Sequence, residues 1–179
     1  MKTLRNGALS CVSLTTVLLV VAFNTMADFA PAASTPFDGL IHFCRSGAPD
    51  KVLPTPGWYT LHIRGATNLN RWETGNPLID GIEQNKVLIN FSPVTATVQV
   101  DATLVPDAYP GSTWEISQKI HIMRNGSVRS SGVAHGTGAL KTMTLKFNTG
   151  DEVPGPNGVC SDLHSTILTG VIVAPTDVH

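Results

Sequence analysis

Residues 114–147 read WEISQKIHIMRNGSVRSSGVAHGTGALKTMTLKF. Trp114, Ile116, Ile120 and Ile122 fall on one side of an extended chain, and Glu115, Ser117, Lys119 and His121 on the other. That alternation is the period of a strand with one face buried. Asn125-Gly126 follows, a pair favoured in two-residue hairpins because both central positions of the tight turn take positive φ. A weaker strand over residues 130–135 returns, Gly136-Thr137-Gly138 breaks the chain, and Met143, Leu145 and Phe147 then alternate with Thr142, Thr144 and Lys146. Three antiparallel strands in succession are therefore predicted.

The same period extends upstream. Val98, Val100, Ala102 and Leu104 alternate with Thr97, Gln99, Asp101 and Thr103; Tyr59, Leu61 and Ile63 oppose Thr60, His62 and Arg64; Val87, Ile89 and Phe91 oppose Leu88 and Asn90. Residues 37–44 and 166–173 are further candidates. PDAYPG at 106–111 and PGPNG at 154–158 are turn-rich connections. Residues 70–85 are poorly patterned, carry Asn76-Pro77 and read as a long loop with at most a short helical turn. Glu occurs four times and Lys six, against twenty Thr and seventeen Val, so the composition favours pleated surfaces over helices. Roughly seven to nine strands result. The fold class is all-β: an antiparallel β-barrel of about eight strands, with a two-sheet β-sandwich as the alternative. The run of hairpins favours closure.

Lys2 and Arg5 precede an apolar run at residues 11–23 (CVSLTTVLLVVAF), and Thr25-Met26-Ala27 supplies a small-residue cut. This order predicts a secretory signal peptide over residues 1–27. The run is shorter than the roughly 20 residues a membrane helix needs. Residues 28–36 form a flexible arm on this reading, and residues 37–179 a single β domain. The location implied is secreted or periplasmic, with no membrane span after cleavage. Cys11 leaves with the leader, so Cys44 and Cys160 remain as a disulfide pair suited to an oxidising compartment.

Charged residues are 14% of the chain and the net charge is −1, with no basic cluster, which argues against nucleic-acid partners. Of the histidines (His42, His62, His121, His135, His164 and His179), no two have the spacing of a helical zinc site, so no metal and no cofactor is expected. No Gly-x-Ser-x-Gly elbow is present, and no helix follows Gly136-Thr137-Gly138 to make it a phosphate loop. Glu73, Glu83, Glu115 and Asp101 are the candidate carboxylates. Trp58, Tyr59, Trp72, Tyr109 and Trp114 are candidates for stacking on a ligand, or for the core.

The strand, tight turn, strand, Gly-Thr-Gly-Ala-Leu and strand of residues 114–147 resemble the late strands of the eight-stranded barrels of the allene oxide cyclase and dirigent type. The resemblance covers that segment only and carries over no functional residue. It implies a barrel holding a small apolar molecule inside. The leading functional expectation is thus a secreted barrel binding a small, largely apolar ligand in its lumen, with His62, Arg64, Glu115 and His121 as ligand-binding polar handles. An enzyme of the cyclase or isomerase kind, and a structural or surface-associated protein with a lumen packed solid, are the alternatives. An isomerase needs a buried acid or base beside an apolar pocket.

Overall fold

The computed structural model describes residues 33–54, 61–92, 95–154, 160 and 164–175. The signal-peptide segment, Trp58, Tyr59 and His179 lie outside the described residues. Nine strands follow in chain order: β1 (Ala33–Ser46), β2 (Lys51–Pro54), β3 (Leu61–Glu73), β4 (Gly81–Phe91), β5 (Thr95–Pro106), β6 (Trp114–Met123), β7 (Val128–Gly136), β8 (Thr144–Pro154) and β9 (His164–Ala174). A 3-10 turn, Gly138–Leu140, joins β7 to β8. Strands β3 to β9 form an antiparallel meander, and β1 pairs with both β9 and β3 to close an eight-stranded barrel. The short β2 is an extra strand that shares the free edge of β3 with β1. The barrel expected from the hairpins is the fold, and the sandwich is not.

A hairpin forms at Asn125-Gly126, but through a three-residue loop, Arg124-Asn125-Gly126, and not the two-residue turn expected, with Gly126 as the left-handed residue that ends it. Gly126 takes φ +82°, and the amides of Gly126 and Met123 pair with Met123 and Ser127 carbonyls. Two further readings differ from the structure. Most of residues 70–85 is strand, with only residues 74–80 as a connection, because the registers Asn70↔Glu83 and Glu83↔Leu104 tie the segment into the sheet. Strand β1 starts at Ala33, opposite Ala174 of β9, so the last residues of the segment read as a flexible arm are paired.

The apolar faces point inward. An eight-stranded barrel is just wide enough for side chains to fill its interior, so burial of those faces decides the sidedness of every strand. Outward positions on β5 and β6 carry Thr97, Gln99, Asp101, Glu115, Ser117 and Lys119, a surface suited to water. One half of the interior is packed solid by Trp72, Leu104, Trp114, Leu140, Leu145 and Phe147. Each fully buried Leu there contributes roughly 1.5–3 kcal/mol. Trp72 meets the Phe147 ring edge-on, with centroids 5.1 Å apart. Phe147 in turn fills the space over Gly132, where a Cβ would come within 2.2 Å of its ring. The β3–β4 connection plugs this end: Ile79 is fully buried, and Asp80 accepts bonds from the Thr74 amide (2.6 Å), the Thr74 hydroxyl (2.7 Å) and the Gly75 amide (3.0 Å). Trp114 Nε1 donates to the Leu78 carbonyl at 2.8 Å, fixing the plug to β6.

Closure is pinned on the outer face. His42 of β1 is buried, with Nδ1 2.8 Å from Ser165 Oγ on β9 and Nε2 2.9 Å from Glu73 Oε2 on β3. Two residues on, Cys44 forms the expected disulfide with Cys160, spanning 116 positions of sequence. No helix among the described residues is long and apolar enough to cross a membrane.

Replacing both Cys44 and Cys160 by Ser should cost about 2–4 kcal/mol of stability in denaturant titrations without reductant; an unchanged midpoint would remove the bond from this account. His42→Leu should cost about 1–3 kcal/mol, because it strands the Ser165 hydroxyl, and adding Ser165→Ala should recover part of that loss. A double variant as unstable as the single one would assign the effect to packing instead.

Candidate functional site: a polar-ended cavity in the barrel lumen

Above the packed half the interior is open. A cavity of about 200 Å³ is walled by Val87, Val98, Val100, Ile120, Ile122 and Val128, from strands β4 to β7. A dry cavity of roughly 150 Å³ admits benzene, so by volume this one has room for a molecule of that size. Ile89, Ile120 and Ile122 are only half-buried, which marks the end reached by solvent.

The inner end of the cavity is polar. Inward positions alternate along each strand, so Asn68, Asn70 and Trp72 of β3 stand beside Asn85, Glu83 and Gly81 of β4. Glu83 is 4% exposed. Its Oε1 accepts bonds from Asn85 Nδ2 at 2.7 Å and Asn70 Nδ2 at 3.2 Å, and its Oε2 accepts one from Trp72 Nε1. Burial pushes the Glu83 carboxyl above its ordinary range, and the donors from Asn85, Trp72 and Asn70 offset part of that rise. On the opposite wall Gln118 Nε2 donates to Thr149 Oγ1 at 3.1 Å, and Thr149 Oγ1 lies 2.7 Å from Ser130 Oγ. Asn70 and Asn85 each keep a buried Oδ1 with no hydrogen-bond partner. A buried acceptor without a partner carries a desolvation cost, and in a native fold it asks for an explanation.

Three of the four sequence-predicted handles, Arg64, Glu115 and His121, lie elsewhere. Arg64 is exposed, on the stretch of β3 paired with β2 and β4. Glu115 is exposed on the outer face and accepts from the hydroxyls of Thr113 (2.8 Å) and Thr103 (3.2 Å). His121 is half-buried, between Thr97 and Arg129 of the neighbouring strands. None of the three lines the cavity. His62 sits on β3 opposite Leu53 and Asn90, and its side chain lies outside the described residues. The reason is the sidedness above: positions opposite the apolar face look outward. Of the candidate carboxylates only Glu83 reaches deep into the lumen. Trp72 and Trp114 belong to the core, and Tyr109 is exposed.

The order Ser165, His42, Glu73 has the connectivity of a nucleophilic triad, but Ser165 and His42 are 4% and 3% exposed and none of the three lines the cavity. Their geometry makes a clamp on three strands. Among the described residues no group of three or more His, Cys, Asp or Glu could hold a metal ion.

Fold and site together define an antiparallel barrel with an internal cavity, apolar along its walls and acidic at its inner end. The chain matches no protein-family model, no curated protein and no solved structure.

The raised Glu83 carboxyl fixes a sign. The folded state holds its proton to higher pH than the unfolded chain, so Glu83's contribution is complete at low pH and is lost as pH rises from the ordinary carboxyl range through the folded value. Urea titrations across that range should show wild type losing stability relative to Glu83→Gln as pH rises. A difference independent of pH would contradict the burial of an ionisable group there.

Proposed function

We propose that the protein is an exported barrel that binds a small, largely apolar ligand in its lumen. The observation that carries this reading is the cavity of about 200 Å³, walled by Val and Ile and ending on Glu83. Unfilled apolar space weakens a core by the contacts its lining forgoes, so a packed scaffold gains nothing from it. The half-filled interior therefore disfavours a purely structural barrel, whose lumen would be solid. The resemblance of residues 114–147 to cyclase and dirigent barrels points the same way. Export rests on the leader-like residues 1–27 and on the Cys44–Cys160 bond, which suits an oxidising compartment.

A second reading has one specific observation in its favour. Glu83 is a buried acid with a raised proton affinity at the end of an apolar pocket, the combination an isomerase of the expected kind requires. In that case Glu83 gives or takes the proton, while the Val and Ile walls keep water away. A ligand co-purified with the protein separates the two readings. Incubation with fresh protein leaves it unaltered if the barrel only binds. An isomerase changes its NMR spectrum at constant mass.

Calorimetric titration with toluene and 1-hexanol should show saturable binding. Val100→Trp, which fills the space between the walls, should abolish it while leaving the far-ultraviolet circular dichroism unchanged. Val98→Phe serves as the milder second filler. Binding that survives both variants would place the ligand outside the lumen and overturn the proposal.

A further inference from the structure

The barrel wall is not paired over its full height. Strand β7 pairs with β6 from Gly136 to Val128, but with β8 only from His135↔Thr144 to Gly132↔Phe147. Residues 128–131 of β7 and residues 148–154 of β8 are therefore held by their other neighbours, β6 and β9, and are not paired with one another. Continued in the same register, Ser130 would stand opposite Thr149. The Ser130 side chain spans the gap at that position. The Thr149 amide donates to Ser130 Oγ at 2.5 Å, and the same hydroxyl lies 3.0 Å from the Thr149 carbonyl and 2.7 Å from Thr149 Oγ1. One side chain takes the place that ladder bonds fill further down.

Strand β8 also bends here. Its register with β9 shifts between Thr149 and Glu152, the mark of a bulge, and a bulge bends the strand that carries it. Gly150 lies in that bulge without a positive φ, and a Cβ on it would meet nothing nearer than the Ile167 Cβ at 3.5 Å. Glycine there supplies backbone freedom and not clearance. The cavity reaches the gap from both sides, at Val128 of β7 and at Thr149, Gly150 and Glu152 of β8. Val128 is paired with Ile122, so the gap runs down from the rim and widens that mouth without making a second.

Resting on the lumen-binding reading above, we propose that the gap between residues 128–131 and 148–151 is a slot through which the ligand passes, and that Ser130 is the latch that holds it shut. Parting β7 from β8 lower down breaks consecutive ladder pairs. Parting them at the slot breaks the bonds of one hydroxyl, and each strand keeps its other partner. Local opening is drawn from such weakly held segments.

The test uses the full-length protein and two readouts: amide hydrogen exchange without ligand, and fluorine NMR exchange spectroscopy with fluorobenzene. Ser130→Ala should raise amide exchange at Thr149 at least about tenfold and leave residues 132–135 unchanged. It should speed both association and dissociation of fluorobenzene at least about fivefold, with Kd held within about twofold, because a latch sets the barrier and not the bound state. Gly150→Ala, which restricts the bend, should slow both rates and covers the case in which Ser130→Ala fails to fold. Leu140→Val, a loosening of the packed end, should leave the rates as they are. Unchanged rates in Ser130→Ala overturn the slot and leave lumen binding standing. Rates raised equally by Leu140→Val also overturn it, since passage then follows general loosening. A weaker Kd at an unchanged association rate would make Ser130 part of the binding wall and not a latch. Fluorobenzene that fails to bind the wild type removes the lumen reading, and the slot with it.

Discussion

Everything in this barrel depends on β1 pairing along both of its edges. Residues 33–42 run against β9 and residues 40–46 against β3, so the two pairings overlap at Leu40, Ile41 and His42. A strand that serves two partners over one stretch converts an open meander into a closed sheet and removes its free edges. His42 sits at that overlap and bonds to Ser165 on one neighbour and Glu73 on the other. The Cys44–Cys160 bond adds a covalent tie two positions further on. Without that crossing the lumen would have no wall between β9 and β3, and the cavity would not exist.

Closure also explains how a buried acid is tolerated. Glu83 lies at the junction between two halves of the interior, the packed half around Trp72 and Leu104 and the open half around Val87 and Val100. Trp72 belongs to the packed half, yet its indole N–H serves Glu83. The packed half therefore fixes the carboxyl's position, while the open half sets what can approach it. Preorganised donors lower the cost of holding the carboxyl in place, and the residual cost shows as its raised proton affinity.

How much of this was legible follows from one rule: hydrophobic alternation reports only inward positions that are apolar. It is plain in Val98, Val100, Ala102 and Leu104 of β5 and in Ile116, Ile120 and Ile122 of β6, and those strands are where the sequence placed them. The hairpin at Gly126 and the disulfide were equally readable, from turn chemistry and from cysteine parity after export. The signal fails over residues 70–85 because the inward side chains there include Asn70, Glu83 and Asn85. A segment with polar residues on its buried face looks like a loop. The polar end of the cavity was hidden for the same physical reason that makes it a candidate site. The clue available was Asn68, Asn70 and Trp72 repeating at period two beside Glu83 and Asn85. The short β2 was missed because its four residues, on a shared edge, are too few to show a period.

The plug at residues 74–80 has a consequence for traffic. Asp80 cross-links the connection to itself, Ile79 is fully buried beneath it, and Trp114 holds it to the opposite wall. The barrel is consequently a cup and not a conduit. On the lumen-binding proposal, whatever enters past Ile89 and Ile122 would leave by the same mouth. Arrival and departure compete for one opening, and a resident molecule blocks its own replacement. Among the described residues the packed end offers no second way out, so on the lumen-binding proposal the rim governs how long an occupant stays.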